Sequence, residues 1–247
     1  EPVDPSMAAC TGFVFKVQAN MDPNHRDRVA FVRVASGTLK RGMRLKNVRT
    51  GKDLKVANPM FFFARERELA DEAVAGDVVG IPNHGTLSVG DTLTDGPDVT
   101  VTGIPNFAPE LLRRVHLSDA SKTKQLAKAL NDLAEEGVVQ VFKPTLGSGY
   151  YVGAVGPLQL EVLTSRAAAE YSVPIRIEPA QYVTARWVKV NDKAQFDKFA
   201  ALHRLNIAED RYGDPVFLAP SQWEIDRCAK DFPLLDFMAT KDRGLAA

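Results

Sequence analysis

The sequence predicts a β + α/β protein, in which a small antiparallel β-barrel precedes an α+β domain. Residues 12–101 contain short β-branched and aromatic segments separated by glycine, proline and aspartate, without a helical period. Apolar residues at helical spacing begin only after residue 118. From residue 110 to 177 the predicted elements follow the order β-α-β-β-α-β, which is that of a ferredoxin-like, split β-α-β unit.

The predicted barrel is organised around residues 28–48, which contain two strand-like segments. Ser36-Gly37 and Arg41-Gly42 break the strand pattern where the chain must reverse. Further strands are predicted at 12–18, 53–57 and 60–64. We interpret the Phe61-Phe62-Phe63 run as barrel core.

The second region alternates strands and helices. Strands are predicted at 110–117, 138–142, 150–155 and 173–177, with one helix capped by Ser118 or Asp119 and a second beginning at Gly156-Pro157. The remainder repeats this order more faintly: a strand at 182–190, a helix at 192–205, short strands at 206–209 and 215–219, and a last strand at 234–238. Ser221 and Glu224 form a capping box before the fourth helix.

These patterns predict two domains. Residues 1–11 read as a linker remnant, 12–103 as the barrel domain and 104–247 as the α+β domain. Residues 102–109, with two prolines and a glycine, are the candidate boundary. The α+β region is either one domain or two lobes, 104–180 and 181–247, and the sequence does not decide between them.

Composition indicates a folded protein, because 45% of the 247 residues are apolar and 25% are charged. No apolar run is long enough to span a bilayer, and no signal-peptide pattern opens the chain, so we expect a cytoplasmic protein. Cys10 and Cys228 show no Cys-x-x-Cys spacing, which predicts neither metal nor redox chemistry.

A net charge of zero hides a local imbalance. Residues 26–55 carry ten basic and two acidic side chains, whereas residues 56–100 carry two basic and eight acidic ones. This segregation can create a positive face that favours a phosphate-rich partner. Alternatively, the two blocks neutralise each other around a solvated barrel rim.

Local motifs predict no catalytic site in this chain. The nearest approach to a phosphate-binding P-loop is 85–92, where Asp91 stands at the lysine position and would repel a phosphate. The four histidines, His25, His84, His116 and His203, are scattered without i, i+4 or cysteine partners, so we expect no metal ligand or catalytic base among them. We therefore predict no catalytic, cofactor-binding or metal-binding residues here.

Three segments of the first region resemble one known barrel. Residues 33–42, Arg-Val-Ala-Ser-Gly-Thr-Leu-Lys-Arg-Gly, match the pattern of the second-domain barrel of translational GTPases. The resemblance continues at the right distances with Ala-Gly-Asp-Val-Val-Gly-Ile at 75–81 and Val-Gly-Asp-Thr-Leu at 89–93. Three matching segments in order make the resemblance specific.

The second region narrows the resemblance. Residues 152–162 look like the Gly-Glu-Leu-His-Leu-Glu segment of elongation factor G, but Pro157 and Gln159 replace its glutamate and histidine. Those departures, together with residues 20–31, 103–111 and 184–188, resemble instead the family of bacterial class II peptide-chain release factors, the release factor 3 family. The chain would be the C-terminal two-domain portion, without the GTPase domain.

The resemblance implies a ribosome-docking fragment. The parent protein would bind GTP or GDP with Mg²⁺ through an upstream GTPase domain, and would stimulate departure and recycling of the codon-specific release factors after peptide release. The expected partners are ribosomal RNA and ribosomal protein, with no membrane. From the basic segment we select five candidate contacts with RNA phosphates: Arg26, Arg28, Lys40, Arg41 and Arg44.

Three alternatives stay open. The chain could belong to another ribosomal GTPase of the elongation-factor-G type, or be a stand-alone module that binds RNA or protein without any GTPase. A third hypothesis, an enzyme with an active site in the α+β region, has only the fold as support, and a fold does not imply a function.

Overall fold

The computed structural model describes residues 3–19, 28–63, 66–69 and 71–242. The chain divides into two compact units, the first ending at Pro105 and the second extending from Asn106 to Lys241. We describe each unit by itself.

The first unit is a curled, all-antiparallel sheet. Its strands are β1 Thr11–Ala19, β2 Arg28–Ser36, β3 Thr38–Lys40, β4 Arg44–Asn47, β5 Lys52–Lys55, β6 Met60–Phe63, β7 Glu66–Leu69, β8 Glu72–Val74, β9 Val78–Asn83 and β10 Thr92–Thr94. Eight of them pair in the order β5-β4-β10-β1-β2-β9-β6-β7, and β3 pairs with β8. The predicted barrel fold is confirmed.

Strand β2 shows why these residues form a barrel wall. Ala30, Val32 and Val34 are buried, whereas Arg33 between them is exposed, because successive side chains of a strand point to opposite faces. The inward residues join one apolar core that also contains Leu39, Leu45 and Ile81. Cys10, within the segment predicted as a linker, is buried in this core, and Phe61 of the phenylalanine run packs against it.

The second unit, within the described residues, contains ten strands and four α-helices; the first residue of β11, Pro105, and the last residue of β20, Asp242, are assigned to the first unit. The strands are β11 Pro105–Phe107, β12 Leu111–Leu117, β13 Gln140–Pro144, β14 Tyr150–Ala154, β15 Ile175–Pro179, β16 Thr184–Val190, β17 Ile207–Glu209, β18 Pro215–Ala219, β19 Leu235–Met238 and β20 Thr240–Asp242. The helices are α1 Thr123–Glu135, α2 Pro157–Tyr171, α3 Lys193–Leu202 and α4 Gln222–Asp231.

The helices begin where the sequence places capping residues. Asp119 caps a short 3₁₀ turn, Ala120–Lys122, that precedes α1, so the α-helix itself begins later than expected. The Ser221 hydroxyl accepts a hydrogen bond from the Glu224 amide at 3.2 Å, as predicted for the capping box. Pro157 opens α2, and the Gln159 side chain accepts bonds from the backbone amides just before that helix. Pro157 and Gln159, which replace the glutamate and histidine of elongation factor G, therefore both stabilise the start of α2.

Two ferredoxin-like units make up the sheet of the second unit. Strands β15-β12-β14-β13 form the first four-stranded group, and β17-β18-β16-β19 form the second, so the faint sequence repeat is a repeat of topology. Strands β13 and β17 pair antiparallel, with Lys143 opposite Glu209 and Pro144 opposite Ala208. The two predicted lobes thus share one continuous eight-stranded sheet.

Three apolar clusters hold these eight strands and the helices together. One cluster lies between α1, α2 and the first group of strands, and a second lies between α3, α4 and the second group. The third cluster combines Leu112 and Phe142 from the first group with Trp187, Val216 and Leu218 from the second. Because it draws on both groups, this cluster makes them interdependent.

Candidate nucleic-acid interface

The turn between β3 and β4 brings three predicted contact residues together. Lys40 ends β3, Arg41 lies in the turn and Arg44 begins β4, and all three are exposed. Gly42 has φ 83°, which a residue with a side chain rarely adopts, and its amide donates to Val56 O at 2.6 Å. The glycine therefore permits the sharp reversal that clusters these cations.

The register of the β4–β5 hairpin adds a fourth cation. Arg44 lies directly opposite Lys55, so the two side chains project from the same face of the hairpin. Both are exposed, and neither makes an ion pair within the described part of the chain. Like charges placed opposite each other destabilise a strand pair, and a bound anion would relieve that repulsion. We call Lys40, Arg41, Arg44 and Lys55 the basic corner.

Two carboxylates border the basic corner. The Arg41 guanidinium lies 3.9 Å from Asp71, whose side chain is 92% exposed, and Glu72 lies opposite Lys40 in the β3–β8 pair. An ion pair this long and this exposed contributes little. The corner therefore keeps an excess of positive charge.

The remaining predicted contacts do not join the corner. Arg28 begins β2, whereas the corner follows the other end of this strand; eight residue steps, roughly 27 Å, separate Arg28 from Ser36 at that end. Arg26 lies outside the described residues. Lys55 belongs to the same basic segment but was not selected from the sequence, because only the strand register shows that it faces Arg44.

Acidic side chains neutralise part of the basic segment, which agrees with the alternative interpretation that the two charged blocks compensate each other. Lys46 pairs with Asp98 at 2.6 Å. Arg49 donates to both oxygens of Asp91, at 2.5 and 2.9 Å, and Asp91 is fully buried. Lys46 and Arg49 are therefore engaged in ion pairs within the barrel, whereas the basic corner projects into solvent.

Guanine nucleotide is the group that the family resemblance implies for the parent protein, and the loop at 85–92 does not fit it. The amides of Gly85, Thr86 and Leu87 donate to the Asn83 side chain at 3.0–3.1 Å, and the Ser88 amide donates to Asp91 at 2.9 Å. The backbone donors that would surround a phosphate are already engaged. We therefore assign no nucleotide chemistry to this loop.

One histidine has neighbours that the sequence spacing did not reveal. His203 Nε2 lies 3.6 Å from Sγ of Cys228, although 25 residues separate them in the chain. Sequence spacing gave no sign of this pair, because folding brings the end of α3 beside α4.

Two family models match the chain. Residues 101–229 match "Class II release factor RF3, C-terminal domain", and residues 9–96 match "Elongation factor G domain 2". A crystal structure of a protein from Thermus thermophilus shares the fold with a TM-score of 0.58 at 23% identity, covering 74% of this chain and 27% of that one. No described helix combines the length and apolar character needed to cross a membrane.

The matches define a protein assembled from translation-factor domains. Because the first model covers more than half of the chain, the chain belongs to the class II release factor RF3 family, and it corresponds to the C-terminal portion. The suspected relationship is thereby confirmed. Neither matched region is a GTPase domain.

Proposed function

We propose that this chain is the ribosome-docking portion of a translation-termination GTPase that stimulates release and recycling of the codon-specific release factors after peptide release. Family membership supports the link to termination. The upstream GTPase domain would carry GTP or GDP with Mg²⁺, and the protein would act in the cytoplasm. The chain itself would supply a binding surface and would catalyse no reaction.

We infer the docking surface from one observation, the Arg44–Lys55 pair at the end of the β4–β5 hairpin. The fold does not need two facing cations there, because like charges directly opposite each other destabilise a strand pair. Phosphate oxygens of ribosomal RNA are anions that match such a site, and lysine and arginine bind them by charge and by hydrogen bonds. Lys40 and Arg41 extend the same surface along the neighbouring turn.

A stand-alone RNA-binding module is the second candidate, because phosphate binding at the basic corner does not require a ribosome. That module would bind a simple structured RNA as tightly as it binds ribosomes. A fragment of an elongation-factor-G-type protein has less support, because the release-factor model covers the second unit.

The experiment measures binding of the chain to ribosomes across a salt series. Replacing Lys40, Arg41 and Arg44 by glutamate removes three cations, so the slope of log affinity against log salt should fall by roughly 2–3. Between about 50 and 200 mM salt, wild-type affinity should therefore decrease about 16- to 64-fold more than that of the variant. Sedimentation with ribosomes, and with a structured RNA of moderate length, gives both affinities.

The matched control reverses three exposed lysines of the second unit, Lys124, Lys193 and Lys230. This control changes the net charge equally but leaves the basic corner intact, so it should keep the wild-type salt slope. An unchanged slope after reversal of the corner itself would remove these residues from the interface. Equal affinity for ribosomes and simple RNA would favour the stand-alone module.

A further inference from the structure

Three side chains with different ligand atoms meet between α3 and α4. His203 Nε2 lies 3.6 Å from Cys228 Sγ, and His203 Nδ1 lies 3.9 Å from Glu224 Oε1. One ligand atom from each residue can be chosen so that all three lie within 4.8 Å of one another. The thiol lies beside Nε2 and the carboxylate beside Nδ1, so the three groups form one cluster around the imidazole ring.

The fold fixes all three residues independently of any ligand. Glu224 and Cys228 are four residues apart on α4, so they occupy one face of that helix on successive turns. His203 caps α3, where its amide donates to Phe199 O, and its ring contacts those of Phe199 and Phe217 at centroid distances of 5.0 and 5.5 Å. The histidine ring is therefore held in place by its aromatic neighbours.

The spacing of the sulfur and the nitrogen matches that of metal ligands. A zinc ion takes thiolate at about 2.3 Å and imidazole at about 2.0–2.1 Å, which at a tetrahedral angle separates the two ligand atoms by about 3.6 Å. The Sγ–Nε2 distance in this structure is 3.6 Å. The Glu224 side chain is 23% exposed, and a rotation that brings its carboxylate toward Nε2 would complete the set.

Access and chemistry are also suitable. The thiol is buried, whereas the His203 and Glu224 side chains are 20% and 23% exposed, so the cluster lies close to the surface. A neutral imidazole binds a metal directly, and a thiol does so after its proton is displaced.

We propose that His203, Glu224 and Cys228 form a binding site for a divalent transition metal of the zinc class. The three protein ligands leave a fourth tetrahedral position for solvent or another ligand. Because two ligands come from α4 and one from the end of α3, the bound ion would connect the two helices of the second ferredoxin-like group. This site is independent of the basic corner, which belongs to the other unit.

Cobalt is the appropriate probe, because a cysteine thiolate bound to Co²⁺ produces a charge-transfer absorption that carboxylate or imidazole ligands alone do not. We expect wild-type protein, treated with a chelator and then titrated under reducing conditions, to show this absorption at one equivalent of Co²⁺. Zn²⁺ should abolish it by competition. In Cys228→Ser the absorption should be lost, and Glu224→Gln should weaken the affinity about tenfold or more.

Two conservative variants serve as controls. Cys10→Ser alters the other buried cysteine, and His116→Gln alters an exposed histidine on β12, so both should bind cobalt as the wild type does. At about one hundred times the dissociation constant, Zn²⁺ should also raise the unfolding temperature of the wild type by roughly 5 °C or more. The Glu224→Gln variant, changed at a partly exposed position, keeps the test informative if Cys228→Ser does not fold.

The proposal is overturned if wild-type protein shows no thiolate charge-transfer absorption, or if Cys228→Ser and wild type give the same spectrum. The cluster would then be a hydrogen-bonded thiol–imidazole pair that joins the helices without an ion. None of these measurements involves ribosomes, so their failure leaves the docking proposal unaffected.

Discussion

Replacing Asp91 by asparagine should selectively destabilise the barrel. Asp91 is fully buried, and its carboxylate accepts four hydrogen bonds: two from Arg49, one from the Asn47 side chain and one from the Ser88 amide. Asparagine keeps the shape but replaces one acceptor oxygen by an NH₂ group, which then faces at least one of these donors. The substitution also removes the negative charge beside the Arg49 guanidinium.

The size of the effect follows from the burial of the two partners. Breaking a buried ion pair costs about 3–5 kcal/mol, but the Arg49 side chain is 28% exposed and regains some hydration, so we expect about 2–3 kcal/mol. With a urea dependence of about 1.5 kcal/mol per M for a unit of this size, the midpoint of barrel unfolding should fall by about 1.3–2 M.

Thiol labelling provides an assay that separates the two units. Cys10 is buried in the barrel and Cys228 in the second unit, so brief alkylation at each urea concentration, followed by peptide mass analysis, reports the opening of each unit in one sample. The control is Asp98→Asn, which removes an exposed ion pair with Lys46 and should shift the Cys10 midpoint by less than about 0.5 M. If Asp91→Asn shifts the Cys10 midpoint no more than this control, the buried network does not stabilise the barrel as argued.

Two further outcomes are expected. Gly153→Ala should destabilise the second unit by about 1–3 kcal/mol, because the added Cβ would lie 2.7 Å from Pro109 Cβ and 3.0 Å from Phe142 Cε2. Tryptophan fluorescence during urea unfolding measures this loss of stability. The control is Gly156→Ala, where an added Cβ would meet nothing within 4 Å. Equal destabilisation by the two substitutions would contradict the steric argument. Separately, burial raises the pKa of the Cys10 thiol to about 11 from 9.0, with a smaller contribution from Asp95. The folded state thus holds the thiol proton more tightly, so stability should be intact below pH 9 and decrease by up to about 2–3 kcal/mol between pH 9 and 11. In Cys10→Ala this part of the pH dependence should disappear, whatever the variant's stability at pH 7.

Local signals predicted most elements because they act over a few residues. Gly37 illustrates this: it has φ 64°, and a Cβ there would lie 2.6 Å from Ala9 O, so the turn requires glycine. The box formed by Ser221 and Glu224 predicted the start of α4 for the same reason. The helix predicted over 192–205 instead ends at Leu202, since His203 leaves the helical conformation and its carbonyl accepts from the Asn206 amide.

The candidate sites were predicted only in part. The charge pattern of the sequence predicted the basic segment and three residues of the basic corner. The position of Lys55 opposite Arg44 depends on strand register, which the charge pattern does not specify. The matched segment at 89–93 contains a turn, with Gly90 at φ 96°, and the Asp91 side chain points inward to bind Arg49. No local signal distinguished this buried carboxylate from an exposed one.

By itself, the sequence determined the kinds of elements, their order, the barrel motif and the family resemblance, because periodicity, capping and turn chemistry are properties of adjacent residues. The tertiary structure alone decided that β13 pairs with β17 to make one continuous sheet from the two repeats. It also decided that His203 meets Cys228, 25 residues further along the chain. Both are contacts between distant segments, and they form because each segment buries apolar surface against partners that no local pattern specifies.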